Sequence, residues 1–179
     1  MQRVWALDEA RFGLKVWYRR RWCPRGIRPP WVYDDQYEWL WLYAAVEPTT
    51  GHSFCLFLPR LDGACFEAFL HEWRQAFPAE HMAVVLDNSG AHTSRRVTWP
   101  DGMEPLPLPA YSPELNPGER WFKELREPLA NQVHEHLEAL EASLTQALRP
   151  YWQQPSRLVQ LTAYPWWRDG VQHITTLSQ

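Results

Sequence analysis

The chain has 179 residues, with 18 Lys and Arg against 21 Asp and Glu and a net charge of −3, and that length can bury a full core. Aromatic residues at 15% and charged residues at 22% exclude a disordered chain, and no apolar stretch approaches the roughly 20 residues of a membrane helix. No basic-then-apolar leader opens the sequence, and Cys23, Cys55 and Cys65 lack the paired spacing of a zinc site, so reduced thiols in a cytoplasmic protein are expected.

Val4 to Glu9 reads as a buried strand, because its apolar run is continuous and ends in Asp8-Glu9. From Ala10 to Tyr33 there is no acidic residue, while Lys15, Arg19, Arg20, Arg21, Arg25 and Arg28 are interleaved with Trp17, Tyr18, Trp22 and Trp31. A hairpin or extended excursion is expected there, punctuated by Pro24-Arg25-Gly26 and Pro29-Pro30. Tyr37 to Val46 predicts a central strand, Thr49-Thr50-Gly51 a turn, and Ser53 to Leu58 its antiparallel partner. Phe66, Phe69, Leu70, Trp73 and Phe77 fall on one face of a helix over 63–77. Met82 to Leu86 predicts a strand ending at Asp87, followed by an irregular loop or short helix over 92–98. Leu106 to Pro109 can form only a short strand, since prolines remove ladder donors. Helices are expected over 117–129 and 134–148, with weaker helical periodicity in the tail from Pro155. Strands in this order, then helices, give a mixed sheet with helices on its faces.

Three acids stand out. If the strand ending at Asp87 lies beside the one ending at Asp8, the two carboxylates meet at the sheet edge. A helix starting at Pro117 can then carry Glu119 to the same point. Such a cluster suits phosphodiester chemistry with two divalent cations, since hard ions take one or two carboxylates each and keep positions for phosphate. Each acid also has a plainer reading: Asp8 as a solvated strand end, Asp87 as an Asx turn before Asn88-Ser89-Gly90, and Glu119 as the third member of a capping box behind Asn116. Glu9 faces the other side of its strand and is the weaker ligand candidate. Glu114 competes with Glu119 from a less rigid loop. Asn88 and His92 are candidates for contacts behind the acids. Basic residues mixed with aromatics suit phosphate contacts and stacking, although the net charge is not that of a typical nucleic-acid-binding protein.

The strings LDEARFGL, RRRWCPRG, LDNSGAHTS and LPAYSPELNPGERWFKEL resemble the catalytic domain of mariner-type bacterial insertion-sequence transposases, the DDE superfamily endonucleases. The resemblance runs from Asp8 to about Leu148, with a similar tail around Ala163-Tyr164-Pro165. It implies an α/β, ribonuclease H-like fold with a mixed five-stranded sheet flanked by helices. It also implies catalytic, metal-binding acids at Asp8, Asp87 and Glu119, with two Mg2+ or Mn2+ ions. The implied activity is cleavage at transposon ends and strand transfer into target DNA, usually at a TA step. Two departures are visible: Gly118 stands where the family often has a larger apolar residue, and the family's N-terminal helix-turn-helix region is absent from 1–179, read as one catalytic domain. The implied partners are therefore transposon-end and target DNA, a separately encoded helix-turn-helix portion, and a second copy of the chain on DNA, with no membrane, in a bacterial, nucleoid-associated setting. The alternative reading is a truncated or domesticated remnant that binds DNA without cutting it.

Overall fold

The computed structural model describes residues 2–28, 30, 35–92 and 97–177. Five strands form one sheet: β1 (Gln2–Gly13), β2 (Trp39–Val46), β3 (Ser53–Leu58), β4 (His81–Leu86) and β5 (Met103–Pro107), in the order β3-β2-β1-β4-β5. β1 pairs antiparallel with β2, and β2 with β3; β4 runs parallel to both β1 and β5. Prolines 105 and 107 are tolerated because β5 is an edge strand. The helices are α1 (Gly63–Ala76), α2 (Pro117–Arg126), α3 (Leu137–Gln153), α4 (Pro155–Thr162) and α5 (Pro165–Leu177).

Side-chain alternation along β1 separates two cores. Trp5 and Leu7 face α1, where Phe66, Phe69, Leu70 and Trp73 are buried. Val4, Ala6, Ala10 and Phe12 face the opposite side, against Trp121, Phe122 and Leu125 of α2 and the leucines of α3. Asp8 therefore points toward α2 and Glu9 toward α1. This division orients everything in the site.

Several boundaries differ from the sequence expectation for identifiable reasons. β1 continues four residues past Glu9, because β2 offers pairs all the way from Ala6↔Val46 to Gly13↔Trp39. Asp8 is thus not at a strand end. It lies just past the last β1–β4 pair, Ala6↔Val85, inside the sheet rather than at its edge. The basic stretch is an extended excursion, not a hairpin, with a turn closed by Ile27 N–H to the Pro24 carbonyl at 3.1 Å. α2 stops at Arg126, two residues before Pro128. α3 runs on to Gln153 with Pro150 inside it, and the tail is helical in two pieces, α4 and α5, split ahead of Pro165. Pro29, Trp31 and positions 93–96 of the expected loop or helix lie outside the described residues. The β2–β3 turn needs glycine at 51: its φ is +77°, and a Cβ there would sit 2.1 Å from the Pro155 carbonyl oxygen.

Candidate active site

Asp8 and Asp87 each lie two residues beyond the last β1–β4 pair, Ala6↔Val85, where the two strands diverge. Asp8 is carried by β1, and Asp87 is the first residue after β4. The third element, α2, arrives through its N-cap. The Asn116 side-chain oxygen accepts from Gly118 N–H at 3.0 Å, while its amide donates to the Leu7 carbonyl at 2.9 Å. One buried side chain thus caps the helix and ties it to β1 beside Asp8. Gly118 permits the approach: a Cβ there would lie 3.2 Å from Asp8 Cβ and 3.2 Å from Asn116 Oδ1. A larger residue here would have to push the helix off the strand.

Glu119 does not complete a capping box. The Asn116 backbone N–H that it would bond donates instead to the Pro113 carbonyl at 2.9 Å, inside a short 3-10 turn over Pro113–Leu115. Among the described residues the Glu119 carboxylate has no hydrogen-bond or ion-pair partner, and its charge acts on Asp8. Glu114 is exposed within the 3-10 turn, and it is not among the charges that bear on Asp8.

Burial pushes the Asp8 carboxyl well above the usual carboxylate range, and the charges of Glu9, Glu119 and Asp87 push it further. Among the described residues its one compensating bond comes from Glu9 N–H at 2.9 Å. Among the described residues no Lys or Arg is paired with Asp8, Asp87 or Glu119. Carboxylate oxygens of this kind are the donors that a hard divalent cation takes. Among the same residues, however, no three His, Cys, Asp or Glu side chains converge tightly enough to ligate a single ion as placed.

Behind Asp87 lies a layer that sequence reasoning underrated. His92 Nε2 is 2.9 and 3.1 Å from the two Glu9 oxygens, and its Nδ1 is 2.9 Å from Asp87 Oδ1 and 3.1 Å from the Asp87 carbonyl. Burial lowers the imidazole's affinity for a proton, but the hydrogen bond and charge of Glu9, with help from Asp87, outweigh it and raise the pKa to about 9. Burial raises the Glu9 carboxyl, and His92 opposes that rise. His92 was a candidate from its place in the turn, whereas Glu9 was passed over because it faces away from Asp8. A buried acid needs a partner, and that partner is 83 positions away. Asn88 donates to the Leu108 carbonyl at 2.6 Å, bridging the ends of β4 and β5 rather than touching an acid.

The basic excursion packs along the end of α2. Arg19 forms an ion pair with Glu127, Arg21 donates to the Asn131 carbonyl at 3.2 Å, and Asn131 N–H returns to the Trp17 carbonyl at 2.9 Å. Lys15 sits over the Tyr37 ring at 5.1 Å. Arg20, Arg25 and Arg28 are exposed.

The sequence matches the DDE superfamily endonuclease family over residues 3–141. The chain belongs to that family. It is 27% identical over 130 residues to the uncharacterized protein y4pE/y4sA of Sinorhizobium fredii, covering 72% of this chain and 96% of that protein. The DDE chain also superposes on solved structures of the mariner transposase Mos1. Against its paired-end complex with Mg the TM-score is 0.63 at 19% identity, covering 90% of this chain and 53% of that one. Against the strand transfer complex it is 0.59 at 18% identity, covering 90% and 54%. The DDE fold here is therefore the ribonuclease H-like mixed sheet with flanking helices, and the chain spans about half the length of those solved transposase chains.

Proposed function

We propose that this chain is the catalytic portion of a transposase, cutting DNA at the ends of a mobile element and joining the freed 3′-hydroxyl to target DNA. The observation that carries the reading is the shielded Asp8 carboxylate, which faces the charges of Glu119 and Asp87 and has no basic side chain paired with it among the described residues. In this reading Asp8, Asp87 and Glu119 hold two Mg2+ or Mn2+ ions. When bound, such a pair stabilises the attacking and leaving oxygens of an in-line displacement. Asp8 and Glu119 supply oxygens from the α2 side of the sheet. Asp87 supplies one from its exposed loop, so the phosphodiester approaches from the solvent-open end of β4. Arg20, Arg25 and Arg28, together with Lys15 and the partly engaged Arg19 and Arg21, would lie along the DNA backbone. A helix-turn-helix portion and a second copy of the chain would supply end recognition and pairing of the two ends.

The remnant reading has one observation in its favour: no single-ion site is closed among the described residues. Nicking of supercoiled plasmid in Mn2+ separates the two. The transposase reading expects nicking by the wild type, loss in Asp8→Asn, Asp87→Asn and Glu119→Gln, and retention in Glu114→Gln. DNA binding without nicking in the wild type would establish the remnant. A dead Glu114→Gln beside an active Glu119→Gln would move the third acid.

A further inference from the structure

We propose that Glu9 and His92 form a buried strut that fixes the direction in which Asp87 presents its carboxylate, which makes Glu9 a positioning residue that never touches the reacting atoms. The inference rests on the reading of Asp87 as a cation ligand. Both ring nitrogens of His92 face only acceptors: two carboxylate oxygens of Glu9 on one side, and the carbonyl and Oδ1 of Asp87 on the other. An imidazole so placed must donate from both nitrogens. Asp87 Oδ1 also accepts from Ser89 N–H at 2.9 Å. His92 Nδ1 thus hydrogen-bonds the Asp87 carbonyl and stands 2.9 Å from Oδ1 as an ion pair, so that oxygen lies between the Ser89 N–H and the imidazole, and Oδ2 has no partner among the described residues. The ring plane is set in turn by Phe66, whose centroid lies 4.5 Å away. The gradient of exposure follows the same path, from 4% for the Glu9 side chain and 2% for His92 to 55% for Asp87. The strut sits in the α1-side core, and only its tip reaches water.

A buried ion pair kept for stability alone is a weak device, because apolar residues of similar volume often serve as well or better. Partners behind a metal-binding group, by contrast, typically govern affinity by about 10–100-fold. Stability and metal affinity are therefore separable here. In the Glu9→Leu/His92→Phe double variant the melting temperature without metal should equal or exceed that of the wild type. Its Mn2+ Kd, read from the free-ion signal by electron paramagnetic resonance, should weaken by about tenfold or more. Glu9→Gln keeps an acceptor for His92 Nε2–H and should stay within about threefold of the wild-type Kd, on the same scale. A folded double variant with wild-type Mn2+ affinity overturns the strut while leaving Asp87's role intact. A wild type that binds no Mn2+ at millimolar concentration overturns the proposed function and the strut with it. If the double variant does not fold, 15N NMR of the wild type decides: the His92 Nδ1–H resonance should move on Mg2+ addition, and an unmoved resonance at saturating Mg2+ refutes the proposal.

Discussion

Replacing Asn116 with alanine should damage both the fold and the chemistry, and the chemistry more. The substitution removes the helix cap at Gly118 N–H and the bond to the Leu7 carbonyl. Loss of an N-cap costs about 1 kcal/mol, and a buried carbonyl left without its donor costs about 1–3 kcal/mol. The sum is about 2–4 kcal/mol. For a chain of this size each kcal/mol lowers the melting temperature by roughly 2–4 °C, so thermal unfolding followed by circular dichroism should show a fall on the order of 5–15 °C. Well below that transition the protein remains folded, yet the start of α2 is no longer tied to β1 and Glu119 loses its fixed distance from Asp8. A displacement near 1 Å can cost about a hundredfold in rate, so nicking per folded molecule should drop by at least about tenfold. A melting temperature within about 2 °C of wild type would refute the energetic argument. Wild-type nicking by a destabilised variant would refute the claim that Asn116 places Glu119.

Gly118→Ala puts a Cβ 3.2 Å from Asp8 Cβ; overpacking of about 1–3 kcal/mol is partly offset by a helix-propensity gain of up to about 1 kcal/mol, so differential scanning should show a fall in melting temperature of no more than about 10 °C while nicking falls. Without metal, Asp8 holds its proton to higher pH when folded than when unfolded, so its contribution is intact below about pH 4 and is lost as pH rises through the raised folded value. Asp8→Asn should therefore match wild type in acid and exceed it in melting temperature near neutrality, and a variant less stable at pH 7 would contradict the burial argument. Millimolar Mn2+ should raise the wild-type melting temperature and leave Asp87→Asn nearly unmoved, by about 2.7 kcal/mol for metal at a hundred times its Kd. Alanine at Arg20, Arg25 and Arg28 should flatten the slope of log affinity against log salt by nearly three units, about 0.9 for each phosphate contact, whereas alanine at Arg19 and Arg21, already engaged with Glu127 and Asn131, should change it less.

The parts of this molecule that were legible in the sequence are those governed by local periodicity. The apolar run before Asp87, the apolar runs of β2 and β3 either side of Thr49-Thr50-Gly51, and the Asn116-Pro117 helix start were readable because neighbours in the chain determine them. The end of β1 was not, since its last residues are held as strand by pairing with β2 some thirty positions away. Glu119 read equally well as a cap, and only the competing bond from Asn116 N–H to Pro113 frees it. Glu9 was set aside by a correct inference about which way it points. What it points at is a histidine in a distant turn, and periodicity carries no information about that. The basic stretch showed its charge but not that two of its arginines are already engaged with the end of α2.

The order of the strands also bears on how the protein comes off the ribosome. β1, β2 and β3 are consecutive antiparallel neighbours, so these three strands can begin pairing while the segments after them are still being synthesised. β4 joins β1 only after α1 has crossed the sheet, and α2 docks later still, because contacts between distant segments form against a greater loss of chain freedom. The acids follow that sequence, appearing at positions 8, 87 and 119. A translation product that stops before α2 can possess much of the sheet, yet it lacks the last carboxylate. If the proposed function holds, DNA cutting must wait until α2 has been made and docked.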